Sequence, residues 1–375
     1  MKRWDIFCKI VDNFGDIGVC WRLARQLQHE HHLNVRLWVD DLLVAQQLIP
    51  ELDTSLQTQT IAGIIIAAWQ PDTQFDEASE VVVEAFGCDL PEPYQAKMHP
   101  HTRWINLEYL SAEPWVQDFH ARHSKRGSLT RYFFFPGFNL LTGGLIRESD
   151  IVLSHQQYAN YPPLNKLWSQ ALGTPKQDRL NVSLFCYPHA PIQGLLTAMA
   201  DANQETDCYV PASKILSVIG KFFNQDQIEI GDTYTLGNLH VHVIPFLRQQ
   251  EYDQLLVLCD INFVRGEDSW VRAIWAGKPF IWQPYLQTEQ AHLSKLNAFL
   301  DTYYADCEPS AKVATYEAHR AWCSSDISAS VWQNYISHRH PLQNHSLAQC
   351  DRLTRQTDLA SNLVIFSEKI QNNQV

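Results

Sequence analysis

Twice along its 375 residues this chain alternates short apolar, β-branched runs with stretches of helical spacing, and that alternation leaves few folds open. In the first half the apolar runs are 4–11, 35–39, 61–69, 81–87 and 104–109. Between the first two, 19–28 carries Cys20, Leu23, Ala24 and Leu27 on one helical face, and 42–48 reads as a helix that ends before Pro50. A last strand of this half is expected at 150–153. In the second half, strands are expected at 180–187, 208–211, 241–246, 260–264 and 280–282, helices at 192–200, 249–258, 270–275 and 289–300, and mostly helix from 310 onward. The polar stretch 158–178, with Pro162, Pro163 and Pro175, suits a connection between domains. A chain of this length exceeds one core. The expectation is an α/β protein of two facing, doubly wound, Rossmann-like domains with a cleft between them. The domains are expected at 1–155, with a C-terminal helix over 350–375 packing back on it, and at 178–345.

Composition excludes some roles. A formal net charge of -12 argues against a general nucleic-acid binder, which needs clustered Lys and Arg to replace counterions. Nine cysteines without a Cys-x-x-Cys pair, among them Cys8 and Cys259 inside apolar runs, suggest reduced, packed thiols. Asp5 interrupts the apolar stretch after Lys2 and Arg3, so no signal peptide is expected. No run approaches the roughly 18 apolar residues of a membrane span. A soluble cytoplasmic protein with no membrane partner is expected.

Between the first strand and helix lies Asp12-Asn13-Phe14-Gly15-Asp16-Ile17-Gly18-Val19. A glycine-bearing turn at the carboxyl end of a strand lets backbone, here Asn13, Phe14 and Gly15, approach a ligand closely. It holds two carboxylates, Asp12 and Asp16. Asp16 is equally suited to capping the helix that follows. Glu84 and Glu108 lie at or near other strand ends. The second half repeats the arrangement in Arg265-Gly266-Glu267-Asp268-Ser269. There Ser269 or Asp268 is a good N-cap, and a helix start with Arg265 beside it can hold a phosphate. Glu267 either satisfies local amides and Arg265 or serves a reacting group. Phe185, Tyr187 and Phe246 end their strands where rings can stack a nucleobase or simply fill core. Glu289 and Gln290, after a proline-containing loop, can accept sugar hydroxyl protons or cap a helix. The stretch 131–138, five rings in eight residues followed by Thr142-Gly143-Gly144, does not read as an ordinary strand. It is either an aromatic loop folded on its own domain or a surface for a protein partner.

Together these features look like a nucleotide-sugar glycosyltransferase of the GT-B type. Three motifs, residues 12–25, 135–145 (Phe-Pro-Gly-Phe with Thr-Gly-Gly-Leu) and 262–273 (Asn-Phe-Val-Arg-Gly-Glu-Asp-Ser-Trp-Val-Arg-Ala), resemble the EarP family, protein-arginine rhamnosyltransferases that modify translation elongation factor P. The resemblance spans essentially the whole chain, with no departure inside the motifs. It implies transfer of rhamnose from dTDP-β-L-rhamnose to a guanidinium nitrogen of one arginine on elongation factor P, with inversion at the anomeric carbon. It implies no metal or other cofactor. The second domain would hold dTDP and the first the acceptor, with Asp12 and Asp16 beside the arginine and Glu267, Asp268 and Ser269 in the donor turn. Asp16 is expected as base, Asp12 as orienter and Glu267 as a second candidate for polarising the arginine. Two rivals remain: a lipopolysaccharide glycosyltransferase of the heptosyltransferase kind, and a non-catalytic translation-factor binding protein.

Overall fold

The computed structural model describes residues 3–12, 14–151, 178–287, 290–324, 326–372 and 374. The chain divides into two compact units, residues 1–151 with 353–375, and residues 152–352. The expected connection over 158–178 lies outside the described residues except for Asp178, which is in a turn, and of the expected strand at 150–153 only Asp150 and Ile151, also a turn, lie inside them.

Unit 1 is built on an eight-stranded sheet in the order β3-β4-β2-β1-β5-β6-β8-β7. Its strands are β1 (Arg3–Cys8), β2 (Asn34–Val39), β3 (Thr58–Ile61), β4 (Ile64–Ala68), β5 (Val81–Ala85), β6 (Arg103–Leu107), β7 (His123–Arg126) and β8 (Leu129–Phe134). Six strands run parallel, and β3 and β7 close the two edges as antiparallel partners of β4 and β8. The central strands β1, β5 and β6 are almost wholly buried, as strands covered on both faces must be. Phe7 leads an aromatic cluster with Trp38, Phe75 and Tyr94, its ring centroid 5.6, 6.1 and 4.6 Å from theirs. The buried charge in β1 is compensated: Asp5 accepts two hydrogen bonds from Arg36 at 2.9 and 2.7 Å and a third from the Tyr94 hydroxyl.

The helices of unit 1 are α1 (Gly15–His29), α2 (Leu42–Leu48), α3 (Glu92–Gln95) and α4 (Val116–Phe119). To them the chain returns α13 (Leu359–Gln371). Gln26 of α1 donates to the Asp358 carboxylate at 3.0 Å, and the Leu359 amide to the Leu145 carbonyl at 2.9 Å. The paired glycine makes this docking possible. A Cβ on Gly144 (φ +78°) would lie 2.5 Å from the Thr357 carbonyl oxygen, and one on Gly143 would lie 2.3 Å from the Phe134 ring.

The aromatic stretch is thereby corrected. Its first part is an ordinary strand, β8, whose Phe134 meets Phe366 of α13 at 5.2 Å between centroids, while Arg131 lies over Trp104 and Phe133. The consecutive rings find partners on both faces, Tyr132 and Phe134 against Phe366 and Phe133 under Arg131, while residues 130–133 stay half-buried. Phe134, Phe135 and Phe138 are buried, so these rings pack within unit 1. The exposed apolar residues here are Leu140 and Leu141, at 83% and 64%.

Unit 2 has a six-stranded sheet, β11-β12-β10-β9-β13-β14, parallel except for β11. Its strands are β9 (Leu180–Leu184), β10 (Thr206–Pro211), β11 (Thr233–Leu236), β12 (Leu239–Ile244), β13 (Ile261–Arg265) and β14 (Phe280–Gln283). Around it lie α5 (Ile192–Ala200), α6 (Leu216–Phe222), α7 (Gln249–Leu258), α8 (Asp268–Ala276), α9 (Ala291–Tyr303), α10 (Pro309–Cys323) and α11 (Ala329–Ser337); α12 (Arg339–Thr354) carries the boundary back to unit 1. All nine cysteines are free, eight of them buried. Among the described residues no helix is long and apolar enough to cross a membrane.

Candidate active site

In unit 1 the first turn is tighter than expected, because α1 starts at Gly15 and takes in Asp16 and Gly18. Phe14 occupies the N-cap position without a side-chain cap. Asp16 does not cap helix amides. Its carboxylate points back to the strand end, where Oδ2 accepts the amides of Val11 and Asp12, each at 2.8 Å, and Oδ1 accepts the Tyr109 hydroxyl at 3.2 Å. Asp16 is 2% exposed and Asp12 9%. Gly15 fits closely over Asp12: a Cβ there would stand 2.9 Å from Oδ2 of Asp12, and the Gly15 amide donates to the Asp12 carbonyl at 2.7 Å. The two acids therefore share one hydrogen-bonded turn at the carboxyl end of β1. Asn13 lies outside the described residues.

Two more carboxyls stand near that edge. Glu84 is fully buried, receives Trp104 Nε1 at 2.8 Å and the Asp89 amide at 3.1 Å, and lies 3.5 Å from Arg131. Burial pushes its pKa up against the pull of Arg131. Glu108 is half-buried, bonded by Asn106, and also raised chiefly by burial. Tyr109, bonded to Asp16, and Phe86 are two neighbours of the turn that sequence patterning does not single out; their rings stack with centroids 4.4 Å apart. The signal for them was their place just past the ends of β5, which pairs with β1, and β6, the next strand out.

In unit 2 the turn after β13 gathers most of the residues expected there. Gly266 has φ +61°. Its amide donates to the Gln283 carbonyl at 3.1 Å and its carbonyl accepts Trp282 Nε1 at 2.7 Å. Neither Ser269 nor Asp268 is the N-cap. That position is held by Glu267, with no side-chain cap, and α8 begins at Asp268. The Ser269 hydroxyl instead accepts the Arg265 amide at 3.0 Å and donates to the Arg265 carbonyl, closing the turn on itself. A helix start after a glycine turn, with its dipole, is where an anion is favoured. Asp268 receives Gln249 Nε2 at 3.3 Å. The helix behind is pinned to α7 by a bidentate pair, Arg272 to Asp253 at 3.0 and 2.8 Å.

The Arg265 guanidinium lies 4.6 Å from the ring centroids of both Phe185 and Tyr187. The structure thus brings Arg265, Phe185 and Tyr187 into one cluster, in which Tyr187 also stacks on His189 at 5.4 Å. Burial, then His292 and Arg265, lower the His189 pKa. Tyr187 is buried, with its amide on Gln283 Oε1 at 3.0 Å. Phe185 and Phe246 are half-buried, so each keeps surface that a base can cover. Gln290 is exposed and sits in the left-handed region (φ 59°) at the N-cap of α9, which starts at Ala291. Glu289 lies outside the described residues. Among the described residues no three His, Cys, Asp or Glu side chains are grouped to hold a metal ion.

Two doubly wound α/β units, each with a glycine turn and acids at its strand ends, define the class of GT-B glycosyltransferases. The spinosyn rhamnosyltransferase SpnG shares the fold at a TM-score of 0.53 with 11% identity, over 97% of this chain and 99% of that one. A family model described as elongation-factor P (EF-P) rhamnosyltransferase EarP matches residues 4–368. A protein-arginine rhamnosyltransferase of Pseudomonas aeruginosa is 38% identical over 372 residues, 98% of this chain and 99% of the relative. A structure described as the basis for EarP-mediated arginine glycosylation of translation elongation factor EF-P superposes with a TM-score of 0.71 at 31% identity, over 98% of this chain and 99% of that one. The chain belongs to the EarP family of elongation-factor P rhamnosyltransferases.

Proposed function

We propose that this chain transfers L-rhamnose from dTDP-β-L-rhamnose to a guanidinium nitrogen of one arginine on elongation factor P, with inversion at the anomeric carbon and without a metal, in the cytoplasm. The observation that carries the reading is a whole-length relative at 38% identity whose name is protein-arginine rhamnosyltransferase. The acid turn of unit 1 gives that chemistry a physical basis.

An arginine side chain is a poor nucleophile, protonated up to a pKa above about 12 with its lone pairs delocalised. A carboxylate in contact orients it and takes a proton as the bond to carbon forms. Asp16 acts as that base and Asp12 as orienter, with Glu267 a second group that polarises the arginine. In the transfer, nitrogen bonds to the anomeric carbon while the carbon–oxygen bond to the diphosphate breaks. The bonding pair leaves with dTDP, and the nitrogen's proton passes to Asp16. Charge growing on the diphosphate is met by Arg265 and the dipole at the start of α8. Phe185 and Phe246 stack the base, and Tyr187 and Gln290 complete the donor site.

The test is to incubate the protein with dTDP-β-L-rhamnose and elongation factor P and weigh the factor. One added deoxyhexose on one arginine, absent with Asp16→Asn, is the expected result, and NMR of the modified peptide reads the anomeric configuration. Tight complex formation with no mass gain would remove the catalytic reading.

A further inference from the structure

Tyr109 follows β6 and Phe86 follows β5. Because β1, β5 and β6 are parallel neighbours, both residues emerge at the sheet edge that carries Asp12 and Asp16. The Tyr109 hydroxyl donates to Oδ1 of Asp16 at 3.2 Å. The Phe86 ring lies against the Tyr109 ring, centroids 4.4 Å apart and planes 14° from parallel. Phe86 holds this place with φ +57°, a backbone conformation that a bulky side chain disfavours. Its amide donates to the Leu107 carbonyl at 2.6 Å, and the next amide, of Gly87, to Asn106 Oδ1 at 3.1 Å. Those two bonds tie the loop after β5 to β6 and hold the strained residue there.

We propose that Tyr109 is a positioning residue for Asp16, with Phe86 as its backstop, and that Oδ1 is the Asp16 atom that takes the acceptor's proton. The proposal rests on the reading of Asp16 as base. A carboxylate has about four lone-pair sites. Oδ2 spends two on the amides of Val11 and Asp12, and Oδ1 spends one on Tyr109. The site that remains is on Oδ1. The two amides anchor Oδ2, so the freedom left to the carboxylate is a twist that swings Oδ1. The phenol stops that twist, and the stacked Phe86 ring stops the phenol. A planar guanidinium meets an acceptor best in its own plane, so fixing the twist raises the fraction of bound acceptors in reactive alignment.

The experiment is steady-state kinetics of the full chain with dTDP-β-L-rhamnose and elongation factor P, for Tyr109→Phe, Phe86→Gly and Asp16→Asn. Tyr109→Phe keeps the ring stack and deletes only the hydroxyl. It is expected to lower kcat about tenfold, the loss of one hydrogen bond to a charged group, with KM for both substrates within about twofold. Phe86→Gly suits the backbone and removes the backstop, and should lower kcat in the same direction. An unchanged kcat in Tyr109→Phe beside an inactive Asp16→Asn would overturn this inference alone, as would a raised acceptor KM with kcat intact. An active Asp16→Asn would overturn the reading of the base beneath it.

Discussion

Replacing Asp16 separates what this carboxylate does for the fold from what it does for chemistry. Asp16→Ala deletes the acceptor of two strand-end amides, at Val11 and Asp12, in a site where the side chain is 2% exposed. A buried amide left without a partner costs about 1–3 kcal/mol. The Asp12 amide is buried and that of Val11 partly so, so the sum is about 2–4 kcal/mol. In a unit of this size that lowers its melting temperature by roughly 4–16 °C. Asp16→Asn is nearly isosteric. Its carboxamide oxygen can take both amides, and its NH2 can turn to the Tyr109 oxygen, which then accepts. Only the charge-assisted part of the bonds is lost, about 1 kcal/mol, or roughly 2–4 °C. Both variants should lack transferase activity. Scanning calorimetry of the full-length protein reads the first effect and intact-mass analysis of the factor the second. An alanine variant that melts with the wild type, or an asparagine variant as unstable as the alanine one, would refute the assignment of Oδ2 to the loop.

Phe185→Ala should weaken dTDP binding by about 1–3 kcal/mol, roughly 5- to 150-fold, the range for losing one base-stacking ring; titration calorimetry giving an unchanged affinity would remove stacking from that residue. His319 is fully buried, with Nδ1 2.9 Å from the Thr315 carbonyl, and burial lowers its pKa from 6.5 to about 4. Below 6.5 the unfolded chain takes up a proton that the native one refuses, so unit 2 should lose about 3 kcal/mol as pH falls from about 6.5 to about 4. His319→Leu should flatten that part of the urea-denaturation profile, and an unaltered slope would show that another group sets it. Gly144→Ala forces a Cβ towards the Thr357 carbonyl at positive φ, at a cost of about 2–4 kcal/mol. Limited proteolysis should then release the C-terminal segment faster from the variant than from the parent, and equal rates would show that Gly144 does not hold that docking.

The parallel cores were legible because Trp4–Cys8, Val81–Ala85 and Ile261–Val264 are buried on both faces and read as mainly apolar runs, each with a single polar residue, Asp5, Glu84 or Asn262. The edge strands were not. Thr58–Ile61, His123–Arg126 and Thr233–Leu236 are short, polar and mostly exposed, and their sequences look like loop. What marks them is the two-residue turn that follows each, with positive φ at Gly63, Gly127 and Gly237. The acids of the first turn announced themselves by type and place, but their division of labour did not. Which carboxylate is tied to backbone depends on α1 starting at Gly15, four residues before the helical stretch expected at 19–28. Ser269 was misjudged because a hydroxyl beside a helix start usually caps forward, and here it bonds backward to Arg265. Tyr109 lies 93 positions from Asp16, a distance no local pattern spans.

The return of α13 to the first sheet sets an order on biosynthesis. Unit 1 opens the chain, yet Phe366, Asp358 and Asn362, which close over Phe134, Gln26 and Gly143, come after all of unit 2. The half bearing the acid turn therefore stays unfinished at the ribosome while the other half is made and can fold. A nascent chain that stalls past unit 2 leaves Phe134 and Leu145 without their cover, open to chaperones and proteases alike.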